Sequence, residues 1–500
     1  MRSKNVLYSL ATSFIYQLVN ALMNFIVVRL FLISFGSEIN GLALTITQII
    51  NYLKLVEAGI ALTGIVALYK PIGQSNYPKI NSILSACNQL YKRTGYLFLI
   101  LTLIVSIAYP LLIDSNEAYY KITILIIVMS GGSIVEYFVN GKMQVLLVAD
   151  QKSYILNTFL ILTVIITSIL KIKAINLGFD YLVVQGMFII GMLIRTFLTA
   201  KYIKRKYPYI NYRVKPDYSS MGQRWSVLSH QISGLIVFNT PLIIVSIFCG
   251  LKDASIYGIY NLIFGALITI LQLFSKSTVS SFGNLIYQES HTSLIEIFKN
   301  YETLFYTFST WLYCIGFIMV NPFIELYTKG VNDASYTNEL LTVMFLIVGL
   351  FNAYRIPLNT LIEASGHYTQ TRNRAAIEAT INVIASLIAV QFFALYGVLL
   401  GSIVSYLYRS IDIILYSSGK ILLIKPTNSL IKILLNVLLL IITINLMNGL
   451  VAVSIQSWMD WITYAVVFSL ILGILFLLVA ELMNKGLIKD LFVRLRRIIS

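Results

Sequence analysis

Apolar residues fill fourteen long stretches of this chain, near 5–33, 39–68, 94–113, 122–148, 154–170, 178–200, 226–249, 255–280, 301–320, 339–363, 375–392, 396–417, 433–450 and 459–483. About 20 apolar residues in a helix cross a bilayer core, and most of these stretches are near or above that length. The pattern predicts an all-α integral membrane protein of about 14 transmembrane helices. The first stretch is too long for a signal-peptide core and lacks a small-residue cleavage site, so it reads as a retained span.

Composition agrees. The chain has 500 residues, 58% hydrophobic and 12% charged, which excludes an ordinary soluble domain. Its three cysteines (Cys87, Cys249, Cys314) and three histidines (His230, His291, His367) are scattered, so no metal site or cofactor is expected. The net charge of +16 would suit nucleic acid in a soluble protein. Here membrane topology accounts for it, and no nucleic-acid partner is expected. Of 37 Lys and Arg, 25 lie at the N-terminus, in the loops after even-numbered spans and in the tail. Five lie in the other loops: Lys121, Lys171, Lys173, Lys252 and Lys329. The positive-inside rule then puts both termini in the cytoplasm. The last residues, 484–500, mix apolar positions with Lys485, Lys489, Arg494, Arg496 and Arg497, as a basic helix on an anionic leaflet or a solvated tail would.

Spans one to six resemble spans seven to twelve faintly. Phe35-Gly36 followed by Ile39-Asn40-Gly41-Leu42 parallels Cys249-Gly250 followed by Ile256-Tyr257-Gly258-Ile259. The expected division is a first six-span lobe over 1–205, a basic linker over 206–224 and a second six-span lobe over 225–418. Two further spans over 419–483 and the basic tail over 484–500 complete it.

Seven cations fall inside the spans: Arg29, Lys54, Lys142, Arg195, Lys276, Arg355 and Arg409. A cation in a span is costly, which makes each a pointer to something charged. Helical spacing puts several on polar faces. Gln17, Asn20 and Asn24 share one face of span one, and Thr47, Asn51 and Lys54 share one of span two, with Glu57 a turn on. Span eight carries Asn261, Gln272 and Lys276; span ten carries Asn352, Arg355, Asn359 and Glu363. Spans four and twelve add Glu136, Asn140 and Gln144, then Ser402, Ser405 and Arg409. Interhelical hydrogen bonding explains single Asn or Ser residues. It does not call for a Lys deep in the membrane, so a polar cavity is the better account. Lys54–Glu57 and Arg409–Asp412 have the spacing of i,i+3 ion pairs, which leaves a structural role open. Lys276 and Arg29 lie nearer helix ends, where snorkelling lowers the cost.

With fourteen spans, the segment Phe35-Gly36-Ser37-Glu38-Ile39-Asn40-Gly41-Leu42, the run Leu53-Lys54-Leu55-Val56-Glu57-Ala58-Gly59-Ile60 and the turn from Val145 through Asp150-Gln151-Lys152 to Ile155, the chain resembles bacterial polysaccharide and O-antigen flippases. Their superfamily, the multidrug/oligosaccharidyl-lipid/polysaccharide exporters, also holds lipid II flippases and multidrug antiporters. The resemblance implies two six-helix lobes around a central cavity with two appended C-terminal helices. It implies alternating access that turns a polyprenyl-pyrophosphate-linked oligosaccharide from the cytoplasmic to the outer face of the bacterial plasma membrane. Membrane lipids and polysaccharide polymerase machinery are the expected partners.

On this reading Lys54, Lys276, Arg355 and Arg409 hold the pyrophosphate and Gln17, Asn20, Asn24, Asn261 and Asn359 hold sugar. Glu57, Glu136, Glu363 and Asp412 are the candidates for coupling to an H+ or Na+ gradient. Two competing classes are an ion-coupled multidrug antiporter and a membrane polysaccharide polymerase or glycosyltransferase. Against an enzyme stand the short outer loops, whose carboxylates (Asp114, Glu117, Asp253, Asp333, Asp460) are scattered.

Overall fold

The structure is a computed structural model that describes residues 2–57, 59–219, 224–288, 291–448, 455–487 and 489. The tail beyond 489, and with it the amphipathic reading of that segment, lies outside the described residues. So do positions 220–223 of the basic connector. Helices are the only regular elements among the described residues, and the described parts of the fourteen apolar stretches are mainly helical, with interruptions inside 39–68, 122–148 and 339–363. The protein is a multi-pass membrane protein.

The chain forms two compact units, Met1–Ser255 and Ile256–Ser500. In the first, α1 (Arg2–Leu53) contains all of span one and the start of span two, and bends at Gly36, where φ is 81°. Only glycine adopts that conformation without strain. After a short break come α2 (Ile60–Gly73), α3 (Tyr77–Ala108), α4 (Tyr119–Val135), α5 (Gly141–Ala149), α6 (Ser153–Asn176), α7 (Tyr181–Lys206) and α8 (Arg224–Phe248). The long α6 packs between α1 and α7, and α8 packs on α1. The parallel drawn between Gly36 and Gly250 holds in the backbone, since Gly250 also has positive φ (96°) just before α9 (Leu251–Gln288).

The Asn40-Gly41 motif has a packing explanation. Asn40 Nδ2 donates to Ser255 Oγ at 2.7 Å. A Cβ at Gly41 would lie 1.8 Å from the Leu251 carbonyl oxygen, so backbone meets backbone there and a side chain has no room. Gly41→Ala is expected to destabilise the first unit by about 1–3 kcal/mol through this overlap. A lower midpoint in thermal unfolding of the detergent-solubilised protein checks it.

Span three extends further than its apolar run. Asn76 caps α3 by accepting from the Lys79 N–H at 3.1 Å, with Pro78 in the first turn, where a missing N–H costs nothing. The polar residues 77–93 therefore continue the helix beyond its apolar part. The basic connector is strapped to this extension. Asn81 Nδ2 donates to the Tyr209 carbonyl at 2.9 Å, Ser85 Oγ to the Val214 carbonyl at 2.7 Å, and Lys79 pairs with Asp217. The hydrogen bond from Lys79, then those from the Ser219 hydroxyl and N–H, lower the Asp217 carboxyl to about 2. A depressed carboxyl contributes in full above its ordinary value near pH 4 and is lost as pH falls through about 2. Amide protection over residues 209–219, corrected for the pH dependence of intrinsic exchange, should therefore hold down to about pH 4 and fall below it. Asp217→Asn should remove that dependence.

In the second unit, α9 is followed by α10 (His291–Tyr327), α11 (Glu339–Tyr354), α12 (Ile356–Ala364), α13 (Tyr368–Ser417), α14 (Thr427–Asn448) and α15 (Trp458–Met483). α13 holds spans eleven and twelve joined through a turn at Ala394. The two last spans pack on α10. Trp311 Nε1 donates to the Ser469 carbonyl at 3.1 Å, and Lys432 of α14 pairs with buried Glu302 at 2.9 Å. Phe274, Phe308, Trp311, Phe476 and Leu477 help line an apolar groove of about 470 Å³ between α9, α10 and α15.

Candidate substrate site

Span two is discontinuous where its charges sit. α1 ends at Leu53, residues 54–57 form one 3-10 turn, Gly59 takes φ 84° and α2 restarts at Ile60. A break at membrane depth releases backbone polar groups, which is tolerated where they line a cavity or are buried in protein. Lys54 opens the break. Its side chain is exposed and makes no hydrogen bond or ion pair among the described residues. The i,i+3 pair that the Lys54–Glu57 spacing permits is not closed, although the two charges and Glu136 lie within electrostatic reach of one another.

Span four has its own irregularity. Between α4 and α5, Glu136–Asn140 form a π-helical turn, a feature often found at functional positions. Here the stripe read from spacing is assembled in space. Arg195 of α7 reaches Glu136 at 3.4 Å, Asn140 Nδ2 approaches the same carboxylate at 3.4 Å, and Gln144 Nε2 donates to it. Asn140 also donates to Thr196 Oγ1 at 2.9 Å. Arg195, which has no polar stripe of its own in the sequence, is thus the counter-charge of Glu136.

In the second unit, span ten turns at Arg355, between α11 and α12. Pro357 sits in the first turn of α12 and cannot donate into the preceding helix. The Arg355 side chain is buried. Its Nε donates to Asn352 Oδ1 at 3.0 Å, its Nη1 pairs with Glu378 of α13, and its guanidinium lies 4.7 Å over the Tyr406 ring. Arg409 approaches the other oxygen of Glu378 at 3.5 Å and pairs with Asp412 at 2.7 Å. Asp412 also takes Arg374. Five charges on three spans form one network, and Glu378 is its centre.

Glu378 is absent from the set of site residues expected from the sequence. The signal was there: Arg374, Glu378 and Asn382 recur every four residues, so they share a face of span eleven. Buried Asn382 donates to Ser405 Oγ at 3.1 Å.

The seven cations therefore sort by partner. Arg195, Arg355 and Arg409 are paired with carboxylates. Lys142 donates to Asn88 Oδ1 at 2.8 Å and stands 4.8 Å over the Tyr212 ring. Arg29 is half-buried. Lys276, exposed on α9, makes no hydrogen bond or ion pair among the described residues, as with Lys54. Of the expected sugar-binding amides, Gln17 and Asn20 are half-buried on α1 and Asn24 is exposed. Asn261 is exposed on α9, Asn359 half-buried and Glu363 exposed on α12.

No family model matches the chain, and no curated protein sequence matches it. Solved structures do. The lipid II flippase MurJ, in an inward closed conformation, superposes with a TM-score of 0.67 over 97% of this chain and 100% of its own, at 13% identity. The fold is the same. A multidrug resistance MATE family transporter of the MOP superfamily, inward-facing, gives 0.61 over 85% of this chain and 95% of its own, at 14% identity. The Vibrio cholerae MATE transporter VcmN, in a mutant form, gives 0.56 over 84% and 99%, at 12% identity. At these identities the likeness is one of fold.

Proposed function

We propose that this protein is a flippase that carries a polyprenyl-pyrophosphate-linked oligosaccharide across the bacterial plasma membrane for surface polysaccharide export. Each unit offers the pyrophosphate one cation, Lys54 in the first and Lys276 in the second, and the amides of the polar stripes serve the sugar. One observation carries the reading: among the cations of the spans, these two lysines have neither hydrogen bond nor ion pair among the described residues. An uncompensated ammonium in a span is costly, and a diphosphate offsets that cost with strong charge-assisted hydrogen bonds. Arg355 and Arg409, already paired, serve the architecture of the second unit. The apolar groove beside α15 has the chemistry to take part of a prenyl chain, leaving the charged head to the lysines.

The test is translocation of a fluorescent polyprenyl-pyrophosphate oligosaccharide in proteoliposomes, with and without ion gradients, beside a lipophilic cationic drug. Movement of the lipid-linked sugar supports the reading. Movement of the drug alone would make the protein a multidrug antiporter.

A further inference from the structure

We propose that a polar cavity in the first unit binds a neutral saccharide and receives the sugar of the substrate before it crosses the membrane. The second half of the proposal rests on the substrate reading above; the first half does not. The cavity, of about 380 Å³, lies among the start of α1, the end of α2 and the turn from α5 to α6. That is the size of a small-molecule site. The N-terminus and the loops after spans two and four supply its residues. Positive-inside counting assigns all three to the cytoplasm, the side from which the substrate reading starts.

The lining has the chemistry of a sugar site. Asn5 and Gln151 contribute amides whose side chains make no hydrogen bond among the described residues. Tyr69 is exposed, and the C–H groups of a sugar can pack on the negative face of its ring. Asp150 and Lys152 neutralise each other at 2.6 Å. The Tyr207 hydroxyl donates to the same oxygen of Asp150 at 2.6 Å, so Oδ1 is left to accept from a ligand hydroxyl. With its charges paired, the lining offers an ion no counter-charge. A ring of hydroxyls can use every one of these groups.

The backbone is strained to keep Gln151 there. At the end of α5 the Gln151 N–H donates to the Val148 carbonyl at 3.0 Å and the Lys152 N–H to the Leu147 carbonyl at 2.8 Å. This closure holds Gln151 in the left-handed region, at φ 55°. Glycine is the usual occupant of such a position. The chain uses it where α6 and α12 close in the same way, at Gly178 and Gly366. Beside the cavity it places Gln151 instead, and Ser75 (φ 53°) in the matching position after α2. A side chain held there is costly, and such residues cluster where ligands are gripped. Of the two, Gln151 lines the cavity.

Saturation-transfer NMR on the full chain in nanodiscs, with free glucose, galactose, mannose and N-acetylglucosamine as probes, reads binding without transport. At least one of these sugars should bind, and inorganic pyrophosphate should not displace it. Gln151→Gly and Asn5→Ala should each weaken that sugar about 2- to 10-fold, as loss of a neutral hydrogen bond does. Gln151→Gly should at the same time unfold at or above the wild-type temperature, because glycine relieves the left-handed strain. A merely structural residue does not show that opposition. Binding of none of these sugars, displacement by pyrophosphate, affinity unchanged in both variants, or a midpoint of Gln151→Gly that falls with its affinity would overturn the proposal. Sugar binding weakened in both variants, with no movement of the lipid-linked oligosaccharide by the wild type, would instead overturn the substrate reading and leave the cavity a saccharide site.

Discussion

Lys54→Gln and Lys276→Gln, combined, abolish movement of the lipid-linked pyrophosphate while the protein remains folded in the membrane. Each single change costs about 10- to 100-fold in initial rate, the loss of a hydrogen bond to a charged group being about 1.5–3 kcal/mol. Neither lysine closes an ion pair among the described residues, so their neutralisation breaks no salt bridge and should leave the unfolding midpoint nearly unchanged. That combination, lost transport with kept stability, marks a substrate group. A fall in stability that tracks the fall in rate would show instead that the lysines are structural. The measurement is the proteoliposome assay read beside thermal unfolding of the same preparations.

Glu378→Gln gives the opposite signature. Its carboxylate is shared by Arg355 and Arg409, both with side chains under a tenth exposed. Removing it takes from Arg355 its buried carboxylate partner and leaves Arg409 paired with Asp412. Breaking a buried pair by deleting one partner costs about 3–5 kcal/mol, because the remaining charge stays in a poor solvent. The expected result is a steep drop in the unfolding midpoint, with transport lost only as far as folded protein is lost. Arg355→Met together with Glu378→Leu removes both charges and should recover much of the stability. If Glu378→Gln unfolds at the wild-type temperature, the network is not a structural tie.

Much of the architecture was legible in the sequence because the bilayer imposes a crude rule. Each span must be apolar and must close its own backbone hydrogen bonds, so the apolar runs read as helices, although spans two, four and ten are interrupted. Where a helix turns was partly legible too. Gly36 and Gly250 mark positive φ, and Pro357 marks the elbow in span ten. The break at 54–59 was not, since Leu53 through Ile60 keep the composition of a continuous helix. Nor was the π-helical turn at Glu136, which no local spacing distinguishes from a regular one.

Partnership was the other thing hidden. Spacing along one helix shows which side chains share a face, and it proposed Lys54 with Glu57 as readily as Arg409 with Asp412. Only the second pair forms. Glu378 and Arg195 find their partners 23 and 59 residues away in sequence, across helix interfaces. The sequence by itself determined that the chain crosses a membrane many times and carries seven cations where they are expensive. Tertiary structure decided which of them are already compensated. The reason is that desolvation cost depends on one residue's own position, while its compensation depends on whichever helix packs against it.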